Sequence, residues 1–307
     1  MRVLMVTSFP IPGEYDGTAM LPIKILRALK PRGVDVTVAY LRLRPSGGLS
    51  ATVEDFEGTP VYNGPPAAWA VGRGLETIAR ERPFDVVHAQ HYGGATRAYF
   101  ACRRNRWPMV YEIHSLLGEE VERDRLGRGP VFRAYHGLDL GEYERPTPDM
   151  PIPGVGPDHK VVMYIGRIVH PNQGVPILVD ALPKIFAARP DARCVLVGGP
   201  ASAGDDYRRK LGEHGDRLAV VTGTTPEQVV ALSRRADVLV HPRLACKENY
   251  SVQSKLAVYL AAGRPIVATD FGDYKTLLGA TGAGVLTDVS PDGIADGVLK
   301  VLDDPAL

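Results

Sequence analysis

Four stretches in the second half of the chain set polar or glycine residues directly after short apolar runs, and each suits an anionic ligand. Tyr164-Ile165-Gly166-Arg167, followed by Gln173-Gly174, puts a guanidinium just past such a run, able to grip two phosphate oxygens at once. Val195-Leu196-Val197-Gly198-Gly199-Pro200 and Val221-Thr222-Gly223-Thr224-Thr225-Pro226 bring glycines, Gly199 and Gly223 among them, to equivalent points where backbone N–H groups could approach a ligand closely. The fourth, Glu248-Asn249-Tyr250-Ser251-Val252-Gln253-Ser254-Lys255-Leu256, leads into a helical pattern. Ser251 and Ser254 stand at its start, and Lys255 sits where the helix dipole opposes a cation unless an anion offsets it. Each feature has a plainer reading. Arg167 could make a surface ion pair, the glycines could serve packing, and Lys255 could be a solvated helix residue. What favours a phosphate site is that all four occur at the ends of successive apolar runs.

Composition limits the partners. Of 307 residues, 36 are basic and 35 acidic, a formal charge of +1, so no overall field draws the chain to nucleic acid or an anionic membrane. An anion site must therefore be local. The three cysteines, Cys102, Cys194 and Cys246, are odd in number and widely spaced, which suits reduced thiols and a cytoplasmic address. No spacing of His, Cys or Asp resembles a metal site, and no strand-end Asp-x-Asp pair occurs. No apolar run approaches the roughly 20 residues of a membrane span, which leaves peripheral contact at the inner membrane face open.

These residues need strands to end where the polar groups begin. Arg2-Val3-Leu4-Met5-Val6 reads as a buried first strand, a loop through Gly13 and Gly17 follows, and Met20, Ile23, Leu26 and Leu29 have helical spacing. Val34 to Tyr40 alternates as a second strand, completing a βαβ unit. Phe84 to His88 and Pro108 to His114 read as later strands, with a helix around Thr96 to Cys102. From His136 to Asp158 the chain carries Pro146, Pro148, Pro151, Pro153 and Pro157, too many for a helix or central strand. The domain boundary is placed there, giving domains 1–145 and 146–307. The second half alternates again: strands at 160–165, 192–197, 217–221, 238–241 and 265–268, helices at 176–188, 226–235 and 253–262. The fold class is α/β, with two doubly wound, Rossmann-like domains facing a cleft.

The order of Gly166-Arg167, Gly198-Gly199, Gly223 and Ser254-Lys255-Leu256-Ala257-Val258-Tyr259-Leu260-Ala261-Ala262-Gly263-Arg264-Pro265 resembles that of the retaining GT-B glycosyltransferases (glycosyl transferases group 1, family 4-like). The resemblance covers most of the second domain and, more loosely, residues 1 to 114. It implies transfer of a sugar from a nucleotide diphosphate sugar to an acceptor hydroxyl with retention, without a cofactor or metal. The acceptor would be a sugar, a lipid-linked glycan or a small molecule. In the family an Arg and a Lys hold the donor diphosphate; Arg167 matches the first, and Gln173 stands at or beside the second. Two family glutamates, one near the donor sugar and one on the ribose hydroxyls, fall at about Tyr250 and Val258, with Glu248 near enough to replace the first. In the first domain the glycine loop corresponds to Gly13 through Gly17. The family histidine aligns with Gln90, so His91 beside it and His114 at the end of the next strand become the catalytic candidates, together with Glu248. The first domain looks shortened after His136, and the chain stops before the family's usual last helix. These departures support a second reading, a degenerate relative that binds a nucleotide or a protein partner without catalysis. An epimerase on the same architecture is a third.

Overall fold

The computed structural model describes residues 1–7, 20–41, 52–64, 73–112, 138, 140–147, 149–244, 254–270, 274–279 and 281–304. The chain divides into two compact units, Met1–Ser115 and Leu116–Leu307.

The first unit is built on a sheet of order β3-β4-β2-β1-β5-β6. Its strands are β1 (Arg2–Thr7), β2 (Asp35–Leu41), β3 (Thr52–Phe56), β4 (Thr59–Gly64), β5 (Val86–Gln90) and β6 (Met109–Glu112). All neighbours are parallel except β3 and β4, which form an antiparallel hairpin at one edge. The helices are α1 (Met20–Leu29), α2 (Arg73–Glu81) and α3 (His91–Asn105). The sheet separates two cores because side chains alternate along each strand. Leu4 and Val6 pack with Ile78, Ala98 and Ala101 on one face, and Val3 and Met5 with Ile23 and Leu26 on the other. The helix expected around 96–102 is twice as long as its clearest sequence pattern, since it starts directly at the end of β5. The Gly93-Gly94 pair conceals its first turn from a propensity reading.

The second unit has an all-parallel sheet, β12-β11-β10-β7-β8-β9. The strands are β7 (Lys160–Ile165), β8 (Ala192–Val197), β9 (Leu218–Val221), β10 (Val238–His241), β11 (Ile266–Thr269) and β12 (Gly284–Thr287). Read from β9, this is the doubly wound order 3-2-1-4-5-6, with its reversal between β7 and β10. The central strands are continuous apolar runs because both faces are covered. Val162, Tyr164, Leu196 and Val240 face one core with α5 (Val175–Ala188) and α9 (Pro291–Asp303); Val161, Met163, Val195 and Leu239 face the other with α8 (Ser254–Ala262). The capping box of Thr225 and Gln228 starts α7 (Pro226–Arg235), while α6 (Ala201–Leu211) joins β8 to β9. A short helix, α4 (Leu140–Glu144), forms inside the proline-rich stretch that was expected to hold none. It lies before the first proline, Pro146, so no ring interrupts it, and it packs against α7 and α8.

Candidate functional site

In an open parallel sheet the ligand position lies beyond the carboxyl ends of the strands, at the reversal of strand order. In the second unit that point is flanked by Ile165 and His241. Three segments converge on it. β7 runs out through Tyr164 to Gly166 and Arg167, a 3-10 turn at Pro171–Gln173 follows, and α8 begins with Ser254 and Lys255. The 3-10 turn is locked to the end of β10. Leu244 donates its N–H to the Asn172 carbonyl at 3.3 Å, and a Cβ on Gly174, at φ +66°, would overlap the Pro242 carbonyl.

Lys255 is the centre of this cluster. Its Nζ donates to the Tyr164 hydroxyl at 2.8 Å and to Oε1 of Gln173, and it lies 4.5 Å from the Tyr164 ring centroid. The Tyr164 hydroxyl also lies 3.0 Å from Gln173 Oε1 and 3.2 Å from the Arg167 carbonyl. A Cβ on Gly166 would stand 2.5 Å from Lys255 Nζ, so glycine leaves the amine its space. No described carboxylate pairs with Lys255. Burial, reinforced by the Arg243 guanidinium, brings its pKa down to about 7. His241, 1% exposed, packs edge-on against Tyr274 at 5.2 Å and Tyr259 at 6.1 Å, and neither ring nitrogen has a hydrogen-bond partner among the described residues. Burial first, then Lys255 and Arg243, hold His241 well below the usual histidine range, so it is neutral near pH 7. The cluster thus combines two basic side chains, uncharged acceptors and a neutral imidazole, an arrangement that an anion would complete.

Of the other expected positions, some lie near strand ends of the second unit, one lies in the first unit, and the rest are outside the described residues. Arg167 is exposed just past β7, and Gly199 follows β8. Gly223, at φ +68°, forms the turn between β9 and α7. Val258 packs as a partly buried apolar side chain on the α8 core, so the position that the resemblance gave to a ribose-binding glutamate is used here for packing. His91 is the first residue of α3. Gly13, Gly17, His114, Glu248 and Ser251 lie outside the described residues.

Sequence reading gave no role to Tyr164 or Arg243. Tyr164 is fully buried yet ends a strand with a polar tip, and Arg243 is 4% exposed in a His-Pro-Arg step after an apolar strand. A strand-end arginine followed by more chain instead of solvent is the signal that could have identified the second. In the first unit, His88 of β5 contacts Glu112 Oε2 at 2.9 Å through Nε2, and Gln90 Nε2 reaches the same oxygen at 3.4 Å. A separate hollow lined by Glu76, Arg80, Arg104 and Trp107 lies at the amino ends of the strands, and its carboxylate is already held by Arg104 and Asn105. Among the described residues no group of three or more His, Cys, Asp or Glu could hold a metal, and no helix is long and apolar enough to cross a membrane.

Two doubly wound sheets, the second with a basic cluster at its strand-order reversal, define an α/β protein of two Rossmann-like units. Residues 159–304 match the family described as glycosyl transferases group 1, and residues 15–145 match glycosyltransferase family 4. The chain belongs to the GT-B glycosyltransferases. It is 24% identical to phosphatidyl-myo-inositol mannosyltransferase of Mycolicibacterium smegmatis, covering 100% of this chain and 86% of that protein. That match spans 352 aligned positions, more than the 307 residues of this chain, so the relative carries residues that this one lacks. Among solved structures, sucrose-phosphate synthase from Thermosynechococcus elongatus superposes with a TM-score of 0.71 at 15% identity, covering 99% of this chain and 90% of that one. Anabaena HepE in complex with UDP gives 0.69 at 17%, with the same coverage.

Proposed function

We propose that this chain transfers a sugar from a nucleoside diphosphate sugar to an acceptor hydroxyl, with retention at the anomeric carbon and without a metal ion. The observation that carries this reading is Lys255: a partly buried amine at the switch point, held by neutral acceptors and paired with no described carboxylate. A diphosphate would complete it. Support comes from the mannosyltransferase named among its relatives and from a fold neighbour solved with UDP.

In this reading Gly166, Arg167, Gln173, Gly199, Gly223, Ser251, Ser254 and Lys255 form the donor side. Arg167 and Lys255 stabilise the negative charge that grows on the diphosphate as its bond to the sugar breaks. The acceptor hydroxyl attacks the same face of the sugar and gives its proton to the departing phosphate oxygen. His91, His114 and Glu248 are the candidate catalytic groups, and Gly13 and Gly17 the candidate donor-binding glycines of the first unit. The acceptor is a sugar, a lipid-linked glycan or a small molecule, met in the cytoplasm or at the inner face of a membrane.

Calorimetric titration with UDP, GDP and ADP in chelator, followed by the matching sugar nucleotides, tests this. Saturable binding of one nucleotide and slow release of its sugar are expected; absence of binding to all three overturns the reading. Val258, packed into the core where a ribose partner was expected, favours one alternative: a relative that binds a nucleotide without catalysis. Binding with no sugar release on any acceptor or water would select that alternative.

A further inference from the structure

Lys255 is held from two directions by residues distant in sequence. Tyr164 comes from the end of β7 and Gln173 from the 3-10 turn, while Gly166 leaves the space between them open. Both partners are uncharged acceptors, so they orient the amine without neutralising it. Among the described residues, the titratable or charged groups around it are Tyr164 from β7, His241 and Arg243 from the end of β10, and Tyr259 one turn further along its own helix. Burial raises both tyrosine hydroxyls far above their ordinary range, and His241 is neutral, so Arg243 is the charged member of this group near neutral pH. It repels a proton on Lys255.

We propose that Tyr164 and Gln173 act through Lys255 as positioning residues, fixing its amine at the switch point so that it takes up a proton when the donor's diphosphate binds. This rests on the donor-site reading above and adds a role that Gln173 would not have as a direct phosphate ligand. The physical basis is a balance. With no anion present, burial and Arg243 leave the amine only partly protonated near pH 7. An arriving diphosphate reverses the local potential, and a solvent proton moves onto Nζ. Gln173 Oε1 and the Tyr164 hydroxyl accept from the resulting ammonium, which keeps it aimed instead of folded back along α8.

The test is calorimetry of UDP, GDP and ADP binding at pH 8 in Tris and in Hepes, whose different ionisation heats report protons exchanged. At pH 8 a terminal phosphate with a pKa near 6 has already lost its proton, and an amine titrating at about 7 is roughly nine-tenths neutral. Uptake of close to one proton per nucleotide is expected. Lys255→Arg, always charged, should bind the same nucleotide with no uptake. Gln173→Ala should weaken binding about tenfold at pH 8 and much less at pH 6.5, because losing one acceptor lowers the amine's basicity by about one pH unit. Equal proton counts for wild type and Lys255→Arg, or a Gln173→Ala defect independent of pH, would overturn the proposal. If wild type binds none of the three nucleotides, the donor-site reading fails instead. The positioning role is then decided by NMR titration of labelled lysine Nζ. A Lys255 midpoint near 7 that falls in Gln173→Ala supports it, and a midpoint near 10 overturns it.

Discussion

The hydroxyl of Tyr259 accepts the backbone N–H of Ile165 at 2.9 Å, and it also reaches the Val240 carbonyl at 3.3 Å. β7 and β10 pair directly only at Val162–Val238 and Met163–Leu239. Beyond that point the two strands part, and one phenol from α8 takes the place of the missing ladder rungs. The parting makes room for the cluster around Lys255, one turn earlier on the same helix. Tyr259 therefore couples the opening of the switch point to the placement of Lys255.

Tyr259→Phe should destabilise the second unit by about 2 kcal/mol, because it leaves a buried N–H and a buried carbonyl unsatisfied while preserving the ring's packing. Urea unfolding with an unchanged m-value is the check. A change below about 0.5 kcal/mol would mean that the strands close together when the hydroxyl is lost.

Arg217 fixes the far end of α5. Its guanidinium donates to the carbonyls of Arg189 at 2.7 Å, Ala192 at 3.1 Å and Phe186 at 3.2 Å, and lies 4.0 Å over the Phe186 ring. Helix carboxyl ends leave carbonyls without partners, and this fork satisfies several together. Arg217→Ala should cost about 2–3 kcal/mol, and Arg217→Lys should recover less than half of it, because an ammonium cannot span the same carbonyls. Thermal unfolding of the two variants side by side distinguishes a fork from a simple charge.

The buried amine gives a stability profile with a defined sign. Lys255 has a folded-state pKa of about 7 against an ordinary value of 10.5, so between those values the unfolded chain binds more protons than the folded one. Stability attributable to this group therefore rises with pH across that interval, and the full cost of burying the charge is present below pH 7. Replacing the amine removes that cost. The stability of Lys255→Met relative to wild type should be greatest at pH 6 and should decline towards pH 9. A difference that is flat with pH would show that the amine titrates normally.

How far the sequence disclosed this site depends on which residues carry it. The strands β7, β8, β10 and β11 were legible because a parallel strand covered on both faces is a short, unbroken apolar run. Their order as β-α alternation implied the doubly wound sheet, and the polar residues after each run implied an anion site. The β3–β4 hairpin in the first unit was not singled out, since Thr52–Phe56 includes two acids and sits at an edge where alternation is weak. The Lys255–Tyr164–Gln173 contact was beyond reach for a different reason. It joins residues 91 and 82 positions apart, and it depends on how the 3-10 turn folds back on β10, which no local pattern specifies. Val258 shows the converse: alignment to a family position suggested a ligand contact, while its apolar character already suited the packed face where it lies.

Gly174 holds that turn in place, and its replacement should show the difference between local strain and lost chemistry. At φ +66° an L side chain is disfavoured, and a Cβ there would overlap the Pro242 carbonyl, a backbone atom that cannot rotate away. Gly174→Ala should cost more than about 2 kcal/mol and displace Gln173 from Lys255, so that stability and nucleotide affinity fall together.

Arg167 should behave in the opposite way. It is exposed beyond the end of β7, where removing a side chain changes stability by no more than about 0.5 kcal/mol. If its guanidinium grips the donor diphosphate, Arg167→Ala loses a charge-assisted contact that strengthens as the phosphate departs, so turnover should fall by at least tenfold with the unfolding midpoint almost unchanged. Arg167→Lys should recover only part of the loss, because an ammonium lacks the planar fork. Measuring sugar release and urea unfolding on the same three preparations separates the outcomes. A stable Arg167→Ala with undiminished turnover would remove Arg167 from the site and leave Lys255 to hold the diphosphate with Arg243.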